Sequence, residues 1–189
     1  MTARWVVDAV QPHRDINITW QPISLLFKNN PAEDSAYRKP VEFTRNLLRV
    51  LESVRSAEGE AAVQSLYWEY GRRIHHDKNR DFTATDALGA VGLPASHAAA
   101  FDDGSWDAEI QTRMDAGIAL AGNDVGTPII AFKNADGEKV ALFGPVITSV
   151  PSPELSLQLW DGYMAVATVP GFWELKRTRT MGPQFPDRP

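Results

Sequence analysis

The sequence predicts an α/β fold in which the two halves of a small mixed core flank an all-helical insertion. Three observations carry that prediction. Near the start, a helically spaced set (Trp5, Val6, Ala9, Val10) is followed at once by an alternating one (Ile16, Ile18, Trp20). From about residue 40 to residue 121 the apolar spacing is helical throughout. After that, Asn134-Ala135-Asp136-Gly137 reads as a hairpin turn joining two short apolar runs.

Taken in order, the first helix is expected to stop at Pro12, which cannot continue it. Residues 17–21 are expected to form a strand ended by Pro22. Leu25, Leu26 and Phe27 make a short apolar patch, and the polar stretch over 28–39 reads as a loop. A helix starting near Pro40 places Phe43, Leu47, Leu51 and Val54 on one face. Another, over about 59–75, carries Val63, Leu66, Tyr67, Tyr70 and Ile74. Thr85 is a candidate cap for a short helix stopped by Gly92. After a helical turn over 94–101, Ser105 is the candidate cap of a helix striped with Ile110, Met114 and Ile118. Strands follow over 129–132 and 140–143, then a helix over 152–167 with Leu155, Leu159, Tyr163 and Val166 on one face. The expected sheet is mixed and contains 17–21, 129–132 and 140–143.

This order is that of a thioredoxin-like core, over 1–25 and 122–170, whose first strand is missing from the chain. Between its halves lies a helical insertion over 40–121, and a basic, proline-rich tail over 174–189 follows, with Lys176, Arg177, Arg179 and Arg188. Composition narrows the function classes. The 189 residues contain no cysteine, which excludes a disulfide scaffold, a thiolate metal site and a cysteine nucleophile within them. A net charge of −5 argues against nucleic-acid binding. No apolar run reaches the ~18 residues of a membrane span, and no leader precedes the first helix, so the expected location is the cytoplasm.

Four residues stand out as candidates for binding. Thr127 and Pro128, at the mouth of the hairpin, are expected to be joined by a cis bond that turns the chain sharply. Read conservatively, the same pair is a plain proline at a strand start; its setting between a helix and a hairpin favours a binding turn. His75, in Arg72-Arg73-Ile74-His75-His76, closes a helix where cations complement the dipole, and it remains a candidate cleft residue. It is not expected to hold a metal, because adjacent histidines on a helix cannot both face one ion. Trp68 lies beside Tyr67 and Tyr70 on the same helix, as core or groove packing. No nucleophile elbow, phosphate loop or dinucleotide fingerprint occurs.

Several segments, in order, carry a resemblance: Thr2-Ala3-Arg4-Trp5, Arg73-Ile74-His75, Asp124-Val125-Gly126-Thr127-Pro128 and Phe143-Gly144-Pro145-Val146. The most specific are Glu174-Leu175-Lys176-Arg177-Thr178-Arg179-Thr180 and Pro183-Gln184-Phe185. The chain resembles the DsbA-like thioredoxin-fold oxidoreductases of actinobacteria, specifically the mycothiol-dependent nitroreductase group, over almost its whole length. The resemblance implies an enzyme that cycles a cysteine thiol with mycothiol or another low-molecular-weight thiol and reduces disulfides or nitro compounds. It implies no bound cofactor, and it leaves homodimerisation open. The family's C-P-W-x-W type motif opens the first helix, just upstream of the segment matching Thr2 to Trp5. Here the motif and first strand are absent, so the expected state is an N-terminally truncated member, inactive as it stands. Two alternatives remain: a non-catalytic thiol- or peptide-binding module, and transferase or isomerase chemistry of the glutathione-transferase kind on the same architecture. The thiol-binding residues expected on the leading reading are Thr127, Pro128, His75 and Trp68.

Overall fold

The structure, a computed structural model, describes residues 1–185. It is a helix-dominated α/β chain with one small two-stranded sheet. It divides into two compact units: Met1–Ile18 with Gly117–Phe185, and Thr19–Ala116. Among the described residues no helix is long and apolar enough to cross a membrane. Arg188, at the end of the expected basic tail, lies outside the described residues.

In the first unit, α1 (Thr2–Arg4) runs into a π-helical segment, Trp5–Val10, and then a 3-10 turn, Gln11–His13. Pro12 therefore sits inside the last turn rather than ending the helix before it. The first positions of such a turn have no intrahelical acceptor for an N–H, so a proline there loses nothing. The hairpin follows the sequence closely: β1 (Ile129–Lys133) pairs antiparallel with β2 (Lys139–Phe143), with Ile129 opposite Phe143. Gly137 supplies the positive φ of +81° that the turn requires.

A final helix, α7 (Pro153–Ala167), is capped by the Ser152 hydroxyl, which accepts from the Leu155 N–H. Its buried face carries Ser156, Trp160 and Tyr163, while Leu155, expected on the core stripe, is 56% exposed. The large rings take the core side because they bury the most apolar area. Trp160 meets Trp5 at 5.9 Å between ring centroids, and the Trp5 indole N–H donates to the Ser156 carbonyl at 3.2 Å.

The expected strand over 17–21 does not form, and the mixed three-segment sheet reduces to β1 and β2 alone. Burial still alternates there: Ile16, Ile18 and Trp20 are partly covered, and Asn17 and Thr19 are exposed. The side-chain half of the strand signal is thus present, but among the described residues no neighbouring strand pairs with the backbone, and a strand exists only as part of a ladder.

The second unit is helical. The Leu25–Phe27 patch opens a helix, α2 (Leu25–Asn29), capped by Ser24 and closed by Asn30 at a left-handed φ of 37°. The 21-residue α3 (Arg38–Glu58) begins two positions before Pro40, and Gly59 turns the chain into α4 (Glu60–Gly71), which continues as a π-helical turn, Arg72–His76. Thr83, not Thr85, caps α5 (Ala84–Ala90). Asp86 answers it by accepting from the Thr83 N–H, a reciprocal box that Thr85 lacks the spacing to make. A 3-10 segment, Ala95–Asp102, leads to a short turn capped by Asp103 rather than Ser105, and then to α6 (Asp107–Ala121). Leu47, Val50, Leu51 and Val54 of α3 pack with Val63, Leu66 and Tyr70 of α4 and with Leu88 of α5. Arg49 grips Asp107 through both carboxylate oxygens, at 2.7 and 2.6 Å.

Candidate functional site

Thr127 and Pro128 enter β1 from the loop that follows Gly122, whose φ of +101° turns the chain away from α6. Their peptide bond is cis, as the sequence reading expects, and so is Gly144–Pro145 after β2, which it did not foresee. The Pro128 carbonyl accepts from the Gly144 N–H at 2.8 Å, and the Asn134 N–H donates to the Glu138 carbonyl at 2.9 Å. These two bonds fix the ladder's phase. Its bonded pairs fall at Ile130 with Leu142 and Phe132 with Val140, so the backbone groups of Ile129 and Ala131 face the open edge of β1. Thr127 is exposed, and among the described residues neither of its backbone groups meets a hydrogen-bond partner.

The start of the chain is tied to this turn. The Thr2 hydroxyl donates to the Pro145 carbonyl at 2.7 Å, while the adjacent Gly144 holds Pro128. Two hydrogen bonds therefore connect the first residue of α1 to the Thr127–Pro128 turn. From behind, the buried Tyr163 hydroxyl reaches both strands. Thr2, Gly144, Pro145 and Tyr163 were not singled out individually as site residues from the sequence; the only signal was that Thr2 and Gly144-Pro145 lie in segments shared with a known family.

Trp68 and His75 belong to the helical unit. Trp68 is half-buried on α4 in an aromatic trio: Trp20 stacks on Tyr67 at 4.9 Å, and Trp68 meets them at 6.0 and 5.3 Å. His75 lies in the π-helical turn. Partial burial lowers its pKa, and the positive charge of Arg80 and the neighbouring His76 push the same way, so its imidazole is neutral at neutral pH. The arginines before it are structural anchors rather than free cations. Arg72 and Arg73 both hold the buried Glu69, at 2.8 and 2.7 Å, and the Arg73 guanidinium lies 5.1 Å over the Phe82 ring. In the C-terminal stretch the Gln184 N–H donates to the Thr148 carbonyl at 2.7 Å, while Lys176, Arg177 and Arg179 are exposed.

What the first unit offers chemically is an exposed, unengaged peptide edge beside the start of a helix; Trp68 and His75 are described by themselves, on the helical unit. Residues 1–177 match the Rv2466c-like family, described as mycothiol-dependent nitroreductase Rv2466c. The match spans nearly all of the chain, and the chain belongs to that family.

Proposed function

We propose that these residues form the thioredoxin-like, DsbA-like scaffold of a mycothiol-dependent oxidoreductase that reduces nitro compounds or disulfides, with its redox cysteine outside them. The observation that supports this most is the pair of hydrogen bonds, Thr2 to Pro145 and Gly144 to Pro128, that keep the start of α1 beside the Thr127–Pro128 turn. A thiolate carried at that helix start would be favoured by the positive end of the helix. The free N–H and C=O of Thr127 suit pairing with the amide of a bound small thiol. Trp68 and His75 are proposed substrate contacts on their chemistry alone, an aromatic face and a neutral acceptor.

Reducing a nitro group to a nitroso group takes two electrons and two protons, and water leaves. Two thiols supply both by joining as a disulfide. With no cysteine among the 189 residues, none of those electrons comes from this chain. On this reading the sequence is part of a longer protein whose cysteine motif lies upstream of Thr2, and the reaction belongs to the reducing cytoplasm. The lack of cysteine favours one second reading, a module that binds thiols without turning them over.

Titration of the ¹⁵N-labelled chain with mycothiol tests the binding half of the proposal. The expected result is saturable binding with the Thr127 amide signal among those that shift most. Absence of binding at millimolar thiol, or shifts confined to residues away from the hairpin mouth, would overturn it.

A further inference from the structure

We propose that Glu52, buried in the helical unit, is a positioning residue that holds Trp20 in an aromatic face for the nitroaromatic substrate. This role rests on the reading of Trp68 as a substrate contact, and it adds the group that fixes the rings around that contact.

Trp20 lies in the stretch where the expected strand does not form, so no ladder holds its backbone. Among the described residues one hydrogen bond reaches that backbone: the Arg55 guanidinium donates to the Trp20 carbonyl at 2.9 Å. The next side chain, Gln21, accepts from Arg113 at 3.5 Å. Both arginines converge on Glu52. Arg55 Nε donates to Glu52 Oε2 at 3.0 Å, and Arg113 Nε lies 3.1 Å from the same oxygen. Glu52 is 2% exposed, whereas the other acids on these arginines, Glu60 on Arg55 and Glu109 on Arg113, are exposed. Arg55 is thereby fully committed, with Nε on Glu52, Nη1 on Glu60 and Nη2 on Trp20.

Burying a carboxylate costs about as much as its ion pairs return, so Glu52 adds little stability on balance. What it fixes is direction. With Nε pinned to a buried carboxylate, the rigid guanidinium fork aims Nη2 at one point, and the Trp20 carbonyl sits there. The Trp20 ring then stacks on Tyr67 at 4.9 Å and meets Trp68 edge-on at 6.0 Å, with its indole N–H toward Gln64 Oε1 at 3.5 Å. All three rings are partly exposed. Indole and phenol rings have electron-rich faces, whereas a nitro group withdraws density from its own ring, so the two kinds of ring attract when stacked. Without the Arg55 hold, binding would have to order Trp20 as well as the ligand.

Titration of the ¹⁵N-labelled full chain with 4-nitrobenzyl alcohol, and with benzyl alcohol as its control, tests the role. The indole N–H signals of Trp20 and Trp68, identified with Trp20→Phe and Trp68→Phe, are expected to shift saturably, and the nitro compound to bind more tightly than the control. Glu52→Gln keeps the side chain's shape and removes its charge. Arg55→Gln removes the donor to Trp20 while Arg113 still faces Glu52, so no buried charge is stranded. Each should weaken binding of the nitro compound by about two- to tenfold, the cost of ordering one loosened side chain. Each should also diminish the near-ultraviolet circular dichroism of the Trp20–Tyr67 stack, the part of the spectrum that Trp20→Phe removes. The double variant should lose no more than the larger single loss, because the two residues act in series. Glu109→Gln, which faces Arg113 but not Trp20, should leave affinity unchanged, and Arg55→Lys, which keeps a donor, should retain more of it than Arg55→Gln. Thermal melts confirm that each variant folds. Wild-type affinity and an unchanged spectrum in folded Glu52→Gln and Arg55→Gln, or additive losses in the double variant, would overturn the positioning role alone. No binding of the nitro compound at millimolar concentration, or shifts confined to residues away from Trp20 and Trp68, would overturn the substrate-contact reading and this role with it.

Discussion

Tyr163 Oη donates to the Ile130 carbonyl at 3.0 Å and lies 3.1 Å from the Leu142 carbonyl, so one hydroxyl on α7 reaches both strands of the hairpin. Burial pushes its pKa up to about 12, which keeps it a neutral donor at any physiological pH. Tyr163→Phe keeps the ring and removes only this bridge. The two carbonyls are a bonded ladder pair and keep their strand partners, so the expected cost is about 1 kcal/mol. That corresponds to a fall in Tm of about 2–4 °C for a chain of this size. An unchanged Tm would mean that the hydroxyl contributes nothing to holding the hairpin.

Asp107 offers a pH test. Burial alone would raise its pKa, but hydrogen bonds from Arg49 and the charges of Arg45 and Arg49 outweigh that and hold it below the ordinary 3.8. A carboxyl whose folded pKa is depressed adds stability that is present above its unfolded value and is lost as pH falls through the folded one. Asp107→Asn leaves two arginines facing an amide and should cost about 2–3 kcal/mol at neutral pH. The gap in urea midpoint between wild type and Asp107→Asn should hold from pH 7 down to the ordinary carboxyl value of 3.8 and narrow as pH falls below it. A difference that stays constant across the range would remove the ion pair as its cause.

Thr2→Val tests the tie between α1 and the Thr127–Pro128 turn. It replaces the hydroxyl that donates to Pro145 with a methyl group of similar size. The expected loss of stability is about 1 kcal/mol, and mycothiol binding should weaken with it because the turn loses its lateral support. Wild-type affinity in a folded Thr2→Val chain would mean that the tie plays no part in binding.

The hairpin was legible in the sequence because its signals are local. Asn134 to Gly137 specify the turn, and the apolar runs on either side have no competing helical spacing. The boundary at Thr83 is placed two residues late by the sequence because Thr85 offers an equally good hydroxyl, and only the reciprocal bond to Asp86 decides between them. Ser105 falls inside the 3-10 turn, Gly104–Trp106, that precedes the helix it was expected to cap. The strand expected over 17–21 failed for a different reason. Alternation records which side chains are covered, and that part was right; hydrogen bonding needs a partner, which alternation cannot supply. At the candidate site, Thr127 and Pro128 were readable from their place before a strand. Thr2 and Pro145 meet across 143 positions, a pairing that no local pattern encodes.

Turnover measured side by side on two proteins tests the functional reading most directly. One is the 189-residue chain, and the other is the same chain extended ahead of Thr2 by a strand and a cysteine motif of the family's type. Each is incubated with mycothiol and a nitroaromatic acceptor, and disulfide and reduced product are quantified. The cysteine-free chain should bind mycothiol yet show no thiol-dependent reduction above the buffer rate. The extended chain should turn over and melt at a higher temperature, because a strand on the open edge of β1 satisfies its backbone groups and buries apolar surface. Reduction by the cysteine-free chain at a rate matching the extended one would contradict the reading, since a cysteine thiolate would then have no part in the chemistry.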